Sequence, residues 1–323
     1  MSHILTTTGA IFVLIAVGFV AVRRAVLTGD HIELLGHLVL RFALPALIFQ
    51  AVAGQRPADV LIAGYMGGYL AGTLALLGLA LAWSRLVLRQ PLVAGVFNGF
   101  GMSFANSGFI GYPLLLMVMP AVASTVLALN MLVENLVLIP LALALAEYAN
   151  GGAVRGWRLA GMILHRLARN PIMIAAVCGL ALALLGIGVP AVLARPIELT
   201  AAASAPLSLL FIGGTLARTP IGALGGPVLV LAFGKLVLHP LFVGAGFWLA
   251  LHLGLGLGGD DVVRGGILIA ATPVMTIYPI LAQRYGQHET AALAMFVMTI
   301  LSFVTLNIAL LAIDALLPGT GFS

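Results

Sequence analysis

The chain has 323 residues, 62% of them hydrophobic, and only 25 Asp, Glu, Lys or Arg. A soluble domain of this length carries about 80 charged residues. The composition therefore excludes a soluble enzyme, a disordered chain and a nucleic-acid binder, and the net charge of +5 comes from arginines spread along the chain.

Uncharged stretches run over 1–22, 60–84, 90–133, 170–194, 236–259 and 290–313. Each exceeds the roughly 20 apolar residues that cross a bilayer as a helix. With 39 Gly and 16 Pro, these runs fit membrane helices, not the alternating strands of an outer-membrane barrel. The lone Cys178 leaves no intramolecular disulfide and reads as a packing thiol.

The first expected span, 4–22, has no basic residue before it and Arg23-Arg24 after it. That reads as a membrane helix with its N-terminus outside, not as a signal peptide. The second span, 32–52, contains Arg41 and Pro45, and the third covers 59–83. The fourth, 92–119, carries Asn106-Ser107-Gly108-Phe109-Ile110-Gly111-Tyr112-Pro113, and the fifth, 121–146, carries Asn130, Glu134 and Asn135. A short basic link over 151–170 separates these from spans at 171–188, 197–217, 224–250, 263–284 and 290–313. The expected fold is an all-α polytopic membrane protein of ten transmembrane helices. Residues 1–150 hold one set of five helices and residues 171–323 the other.

Orientation follows from the basic residues of the connections. With the N-terminus outside, the cytoplasmic side receives Arg23, Arg24, Arg85, Arg89, Arg155, Arg158, Arg166, Arg169, Arg218 and Arg284. The outer side receives Arg56, Arg195 and Arg264, and both termini face outward.

Five spans per half make the second half enter the membrane upside down, and the halves share landmarks. Pro45 lies in the second span and Pro206 in the seventh; Tyr112-Pro113 lies in the fourth and Tyr278-Pro279 in the ninth. The spacing is 68 residues from Pro45 to Pro113 and 73 from Pro206 to Pro279. An inverted repeat is expected.

Spans four and nine are the poorest continuous helices. Two Gly and one Pro fall within 106–113, and two Pro within 272–279, at a cost of about 1 kcal/mol per Gly and about 3 per Pro. Broken backbone at membrane depth is tolerated when buried in protein or lining a cavity, and paired interrupted helices point to a transporter binding site. Pro113 and Pro279 can each begin a second half-helix, whose N-terminus carries partial positive charge. If the two breaks cross antiparallel, those ends form an anion site. The expected substrate-binding residues are Asn106, Ser107, Gly108, Gly111 and Pro113 with Thr272, Pro273, Thr276, Tyr278 and Pro279. The alternative is that these Pro and Gly only kink packed helices.

Ionisable groups inside spans are functional candidates. Asn130 and Glu134 share a helix face by their spacing of four, with Asn135 beside them. Lys235 lies in the eighth span with His239 one turn later. Asn130, Glu134, Asn135 and Lys235 are the candidates for a coupling proton or sodium ion. A structural hydrogen bond for Glu134 and snorkelling for Lys235 are the bland alternatives. Arg41 reads as structural or snorkelling, and Asp260-Asp261 as a solvated loop pair.

The run Phe97-Asn98-Gly99-Phe100-Gly101-Met102-Ser103-Phe104-Ala105-Asn106 through Pro113 resembles the fourth-helix signature of the auxin efflux carrier family. Ala270-Ala271-Thr272-Pro273 and Ala282-Gln283-Arg284-Tyr285-Gly286 resemble its ninth-helix signature, and Arg169-Asn170-Pro171, Phe42–Phe49 and Thr299–Pro318 are also family-like. The resemblance spans the chain. The long central loop of the plant members is missing, as in bacterial members described as malate, malonate or organic-anion permeases.

The resemblance implies crossed, broken helices 4 and 9, as in sodium–proton antiporters and bile-acid symporters. It implies a scaffold of helices 1, 2, 6 and 7, a transport domain of helices 3–5 and 8–10, a homodimer and elevator-type alternating access. Asn106, Pro113 and Pro273 match family positions. Thr272 and Thr276 stand where the ninth-helix break lacks an Asn.

The expected function is secondary transport of a small organic anion, a carboxylate, across a bacterial inner membrane, with a proton or sodium ion possible in the cycle and no cofactor. The alternative is sodium-coupled symport of a larger amphipathic anion of the bile-acid type. No pair of membrane aspartates and no Gly-x-Ser-Gly supports an intramembrane enzyme.

Overall fold

A computed structural model of the chain describes residues 2–53, 61–151, 161, 165, 168–219 and 225–316. Arg56, Arg155, Arg158 and Arg166 of the orientation count lie outside the described residues, as does the end of the tail motif at Pro318. Among the described residues the chain is helical, apart from one antiparallel bridge between Ala105 and Val274.

The helices, in order, are α1 (Ser2–Arg23), α2 (Gly29–Ala53), α3 (Ala63–Val87), α4 (Leu92–Ser103), α5 (Ser107–Val118) and α6 (Pro120–Ala149). There follow α7 (Pro171–Leu185), α8 (Ala191–Arg218), α9 (Gly226–His252), α10 (Asp260–Ala270), α11 (Tyr278–Gln283) and α12 (His288–Leu316). Six of these, α2, α3, α6, α8, α9 and α12, are long and apolar enough to cross a membrane. The fourth and ninth expected spans are each divided in two: α4 stops before α5, and α10 stops before α11.

Several boundaries moved for local reasons. The sixth span ends at Leu185, not 188, because Gly186 takes a left-handed conformation (φ 65°) that caps the helix. The seventh starts earlier than 197, at Ala191 just after Pro190, and continues through Pro196.

Proline shapes the long helices in a recurring way. Pro45, Pro113, Pro140 and Pro240 each follow a widened turn beginning six residues earlier, at Val39, Ser107, Glu134 and Gly234. Proline lacks the N–H that carbonyl i−4 expects, and its ring crowds that carbonyl. The backbone responds with bonds to residue i−5: Leu44 to Val39, Tyr112 to Ser107, Ile139 to Glu134 and His239 to Gly234. Such π-bulges re-aim side chains and are frequent at functional sites. Two of them carry Glu134 and Lys235 into the core.

Glycines let particular helix pairs approach closely. A Cβ at Gly213 of α8 would lie 1.9 Å from the Ile15 carbonyl of α1, and one at Gly246 of α9 would lie 2.1 Å from the Gly68 carbonyl of α3. Backbone contact of this kind drives association where lipid offers no hydrophobic gradient. α1 packs along α8 and α2 along α7; α3 packs along α9 and α4, and α10 lies against α6 and α9. Large apolar side chains such as Val26, Leu86 and Val192 point outward, as a lipid-facing surface requires.

Candidate substrate site at the paired helix breaks

The first break follows from residues 103–106. Ser103 turns its hydroxyl back to the Gly99 carbonyl, and Phe104 leaves the helix in an extended conformation. The second break is set by Pro273, which biases Thr272 away from the helix. The two extended segments pair antiparallel at Ala105 and Val274. The Asn106 N–H donates to the Pro273 carbonyl at 3.0 Å and to Thr272 Oγ1 at 3.1 Å.

Asn106 joins the breaks with its side chain as well. Its Nδ2 donates to Thr276 Oγ1 at 2.9 Å, and its Oδ1 accepts from the Phe109 N–H at 3.3 Å, capping the start of α5. Thr272 donates its hydroxyl to the Ile269 carbonyl at 2.7 Å. Gly111 fits between the Asn106 carbonyl and Ile269, and Gly108 lies against Leu44 and Met131. Asn106, Ser107, Thr272 and Thr276 are all buried. The expected residues of both breaks are thus brought together, and their polar groups bond to one another.

Two expectations change in detail. α11 has only six residues, Tyr278–Gln283, so its dipole is much shorter than that of α5. Tyr278 points away from the break: its hydroxyl donates to the Phe97 carbonyl at 2.9 Å, and its ring stacks on Phe100 at 5.4 Å. It clamps α11 to α4. Pro279 sits in the first turn of α11, but α5 begins at Ser107, capped by Asn106, six residues before Pro113; the Pro279 carbonyl lies 3.1 Å from His288 Nδ1.

A second layer of buried polar groups lies behind the breaks. Ser107 donates to Glu134, and Asn130 Nδ2 donates to the Tyr65 hydroxyl at 2.8 Å. Lys235 is fully buried and donates to the Ala270 carbonyl at the end of α10. It also lies 2.9 Å from His239 Nδ1, while His239 Nε2 lies 3.1 Å from Thr73 Oγ1. His239 Nδ1 is also 3.1 Å from the Ala270 carbonyl: with the proton on Nε2 the ring accepts from Lys235 and donates to Thr73, and with the proton on Nδ1 it donates to Ala270 and accepts from Thr73. A cation at the carbonyl end of a helix is favourably placed. Lys235 therefore neither snorkels nor forms a contact ion pair with Glu134; its ammonium is spent on α10. Asn135 separates from this group, donating to the Met131 carbonyl at 2.9 Å and accepting from Asn170 at 3.2 Å.

Tyr65, Tyr69 and Thr73 of α3 were missed by sequence reasoning. Their spacing of four places them on one face of a helix, but an apolar tyrosine stripe in a membrane helix reads equally as packing. Arg264, assigned to the outer connection, is in fact buried in α10, 3.4 Å from Asp261.

Residues 3–310 match a family model described as membrane transport protein. The chain belongs to this family. It is the family of auxin efflux carriers that the motifs around Asn106 and Pro273 resemble. A protein of Rhizobium meliloti (strain 1021) described as "Putative malonate transporter" is 28% identical over 300 residues, covering 92% of this chain and 91% of its own length.

Proposed function

We propose that the protein is a secondary permease for a small carboxylate, with the substrate held where the two breaks meet. The bonding of Asn106 to Pro273, Thr272 and Thr276 carries this reading, because it unites two unwound segments from opposite ends of the sequence. Interrupted helices meeting in the core are how transporters expose main-chain groups at mid-membrane. The similarity to a protein described as a malonate transporter supports a carboxylate, and membership of a transport family supports a carrier, not an enzyme.

In this reading the chain has ten spans in two inverted halves, with α4/α5 crossing α10/α11. The packing of α1 with α8 and of α2 with α7 and α8 supports a scaffold of the first, second, sixth and seventh spans. The remaining spans form a moving unit, and substrate crosses by an elevator motion. The protein works as a homodimer in the bacterial inner membrane, with both termini outside.

The coupling ion in this reading is a proton. The buried Glu134 carboxyl, bonded to the Ser107 hydroxyl and, among the described residues, not to a cationic side chain, supports a proton as the coupling ion; sodium-coupled carriage of a bile-acid-like anion is the second reading. Reconstitution into liposomes with imposed proton or sodium gradients tests the assignment. Saturable malonate uptake driven by the proton gradient and indifferent to sodium is the expected result. Uptake that requires sodium overturns the coupling, and no carboxylate uptake under any gradient overturns the function.

A further inference from the structure

One cavity lies outside the paired breaks. Its volume is about 1200 Å³, and its lining includes Arg41, Arg169, Arg284, Glu147, Asn135 and Ile277. Single small-molecule sites usually occupy about 300–1,000 Å³, so this space suits a hydrated vestibule better than a closed pocket.

The lining has an excess of positive charge and a functional address. Glu147, its carboxylate, accepts a hydrogen bond from the Tyr285 hydroxyl at 2.7 Å. Among the described residues, Arg41, Arg169 and Arg284 form no ion pair. Arg41 sits twelve residues into α2, about 18 Å along the helix axis at 1.5 Å per residue. An arginine that deep in a membrane helix needs a water-filled cavity or a counter-anion, and its side chain is exposed to this cavity. Part of the lining is Ile277, the residue that follows Thr276 of the second break in sequence. The arginines come from different walls: Arg41 from α2, Arg169 two residues before α7, and Arg284 just after α11. Guanidinium forks match carboxylates in two-pronged pairs, and a cleft lined by one sign of charge concentrates the opposite sign.

We propose that this cavity is a capture site for small dicarboxylates, with Arg41 and Arg284 binding the two carboxylates from different walls before the anion passes to the breaks. The proposal rests on the permease reading and adds a place where the anion is held before the breaks: two cationic walls favour two carboxylates over one.

The full-length chain, reconstituted in phosphatidylcholine vesicles, is assayed for malonate and acetate transport as Arg41→Gln, Arg284→Gln and wild type. Each substitution is expected to raise KM for malonate by about tenfold, the loss of one charged hydrogen-bonding partner, with kcat retained and acetate little affected. In a Cys178→Ser background, Arg41→Cys treated with a cationic methanethiosulfonate should recover malonate affinity, whereas the anionic reagent should not. Should Arg41→Gln fail to fold, Arg284→Gln and the cysteine series carry the test. Wild-type malonate transport with unchanged KM in the variants, or equal outcomes with both reagents, overturns the capture site alone. Failure of wild type to transport any carboxylate overturns the permease reading instead. If the variants differ from wild type only when phosphatidylglycerol is present, the arginines hold a lipid headgroup and the proposal is overturned.

Discussion

The polar groups at the helix breaks and those of the basic cavity obey opposite rules. At the breaks, Asn106, Thr272, Thr276 and Lys235 are buried and spend their hydrogen bonds on one another or on helix ends. In the cavity, Arg41, Arg169 and Arg284 are exposed and stand without a carboxylate partner among the described residues. The first arrangement supports unwound backbone in an apolar core, where each unpaired group is expensive. The second leaves charge available to a ligand that arrives with its own. A carrier needs both: a fixed frame in which helices can break, and a wet approach to it.

The largest effect should come from the frame. Lys235→Met removes the charged donor to the Ala270 carbonyl and leaves the His239 ring, 3.1 Å away, as that carbonyl's side-chain neighbour. Loss of a hydrogen bond from a charged group costs about 1.5–3 kcal/mol, so the yield of monodisperse protein and its melting temperature should fall, and transport with them. Near-normal melting would mean that α10 does not depend on this lysine.

Glu134→Gln sharpens the comparison differently. Glutamine keeps an oxygen for the Ser107 hydroxyl and removes the charge. Melting should change little. Substrate exchange at equal concentrations should survive, while accumulation driven by a proton gradient should be lost. Full proton-driven accumulation in this variant would remove Glu134 from the coupling path.

Thr276→Val deletes the acceptor for Asn106 Nδ2. A loss of about 0.5–1.5 kcal/mol of stability is expected from one neutral hydrogen bond, with transport reduced several-fold, as measured by melting and by initial uptake rate. At the small end, Arg41→Gln should leave melting within about 0.5 kcal/mol of wild type, as for a substitution remote from packed or bonded groups. A larger loss of stability would make Arg41 part of the frame, not of the approach.

Much of this was legible in the sequence because membranes simplify the code. Uncharged runs marked most helices, and Pro113, Pro273 and Pro279 marked the breaks, since proline removes a donor wherever it stands. The partners were not legible. Nothing in the run around Lys235 says that its ammonium caps α10, because that contact joins residues 35 apart through tertiary packing. The widened turns were equally hidden: proline signals a disturbed helix, but whether the chain kinks, breaks or widens depends on its neighbours. The surroundings of Arg41 were hidden for a related reason: a single arginine in an apolar helix reads as structural or snorkelling, and the cavity it lines with residues of α6, α7 and α11 exists only in the folded chain.

The central claim, that the joined breaks form the path of a small carboxylate, is tested most directly by counterflow. Vesicles preloaded with unlabelled malonate and containing either wild type or Asn106→Ala are given trace labelled malonate. Wild type should show a transient, saturable overshoot, and Asn106→Ala, which loses the side-chain bonds to Thr276 and Phe109, should fall close to protein-free vesicles. An undiminished overshoot with Asn106→Ala would contradict the account.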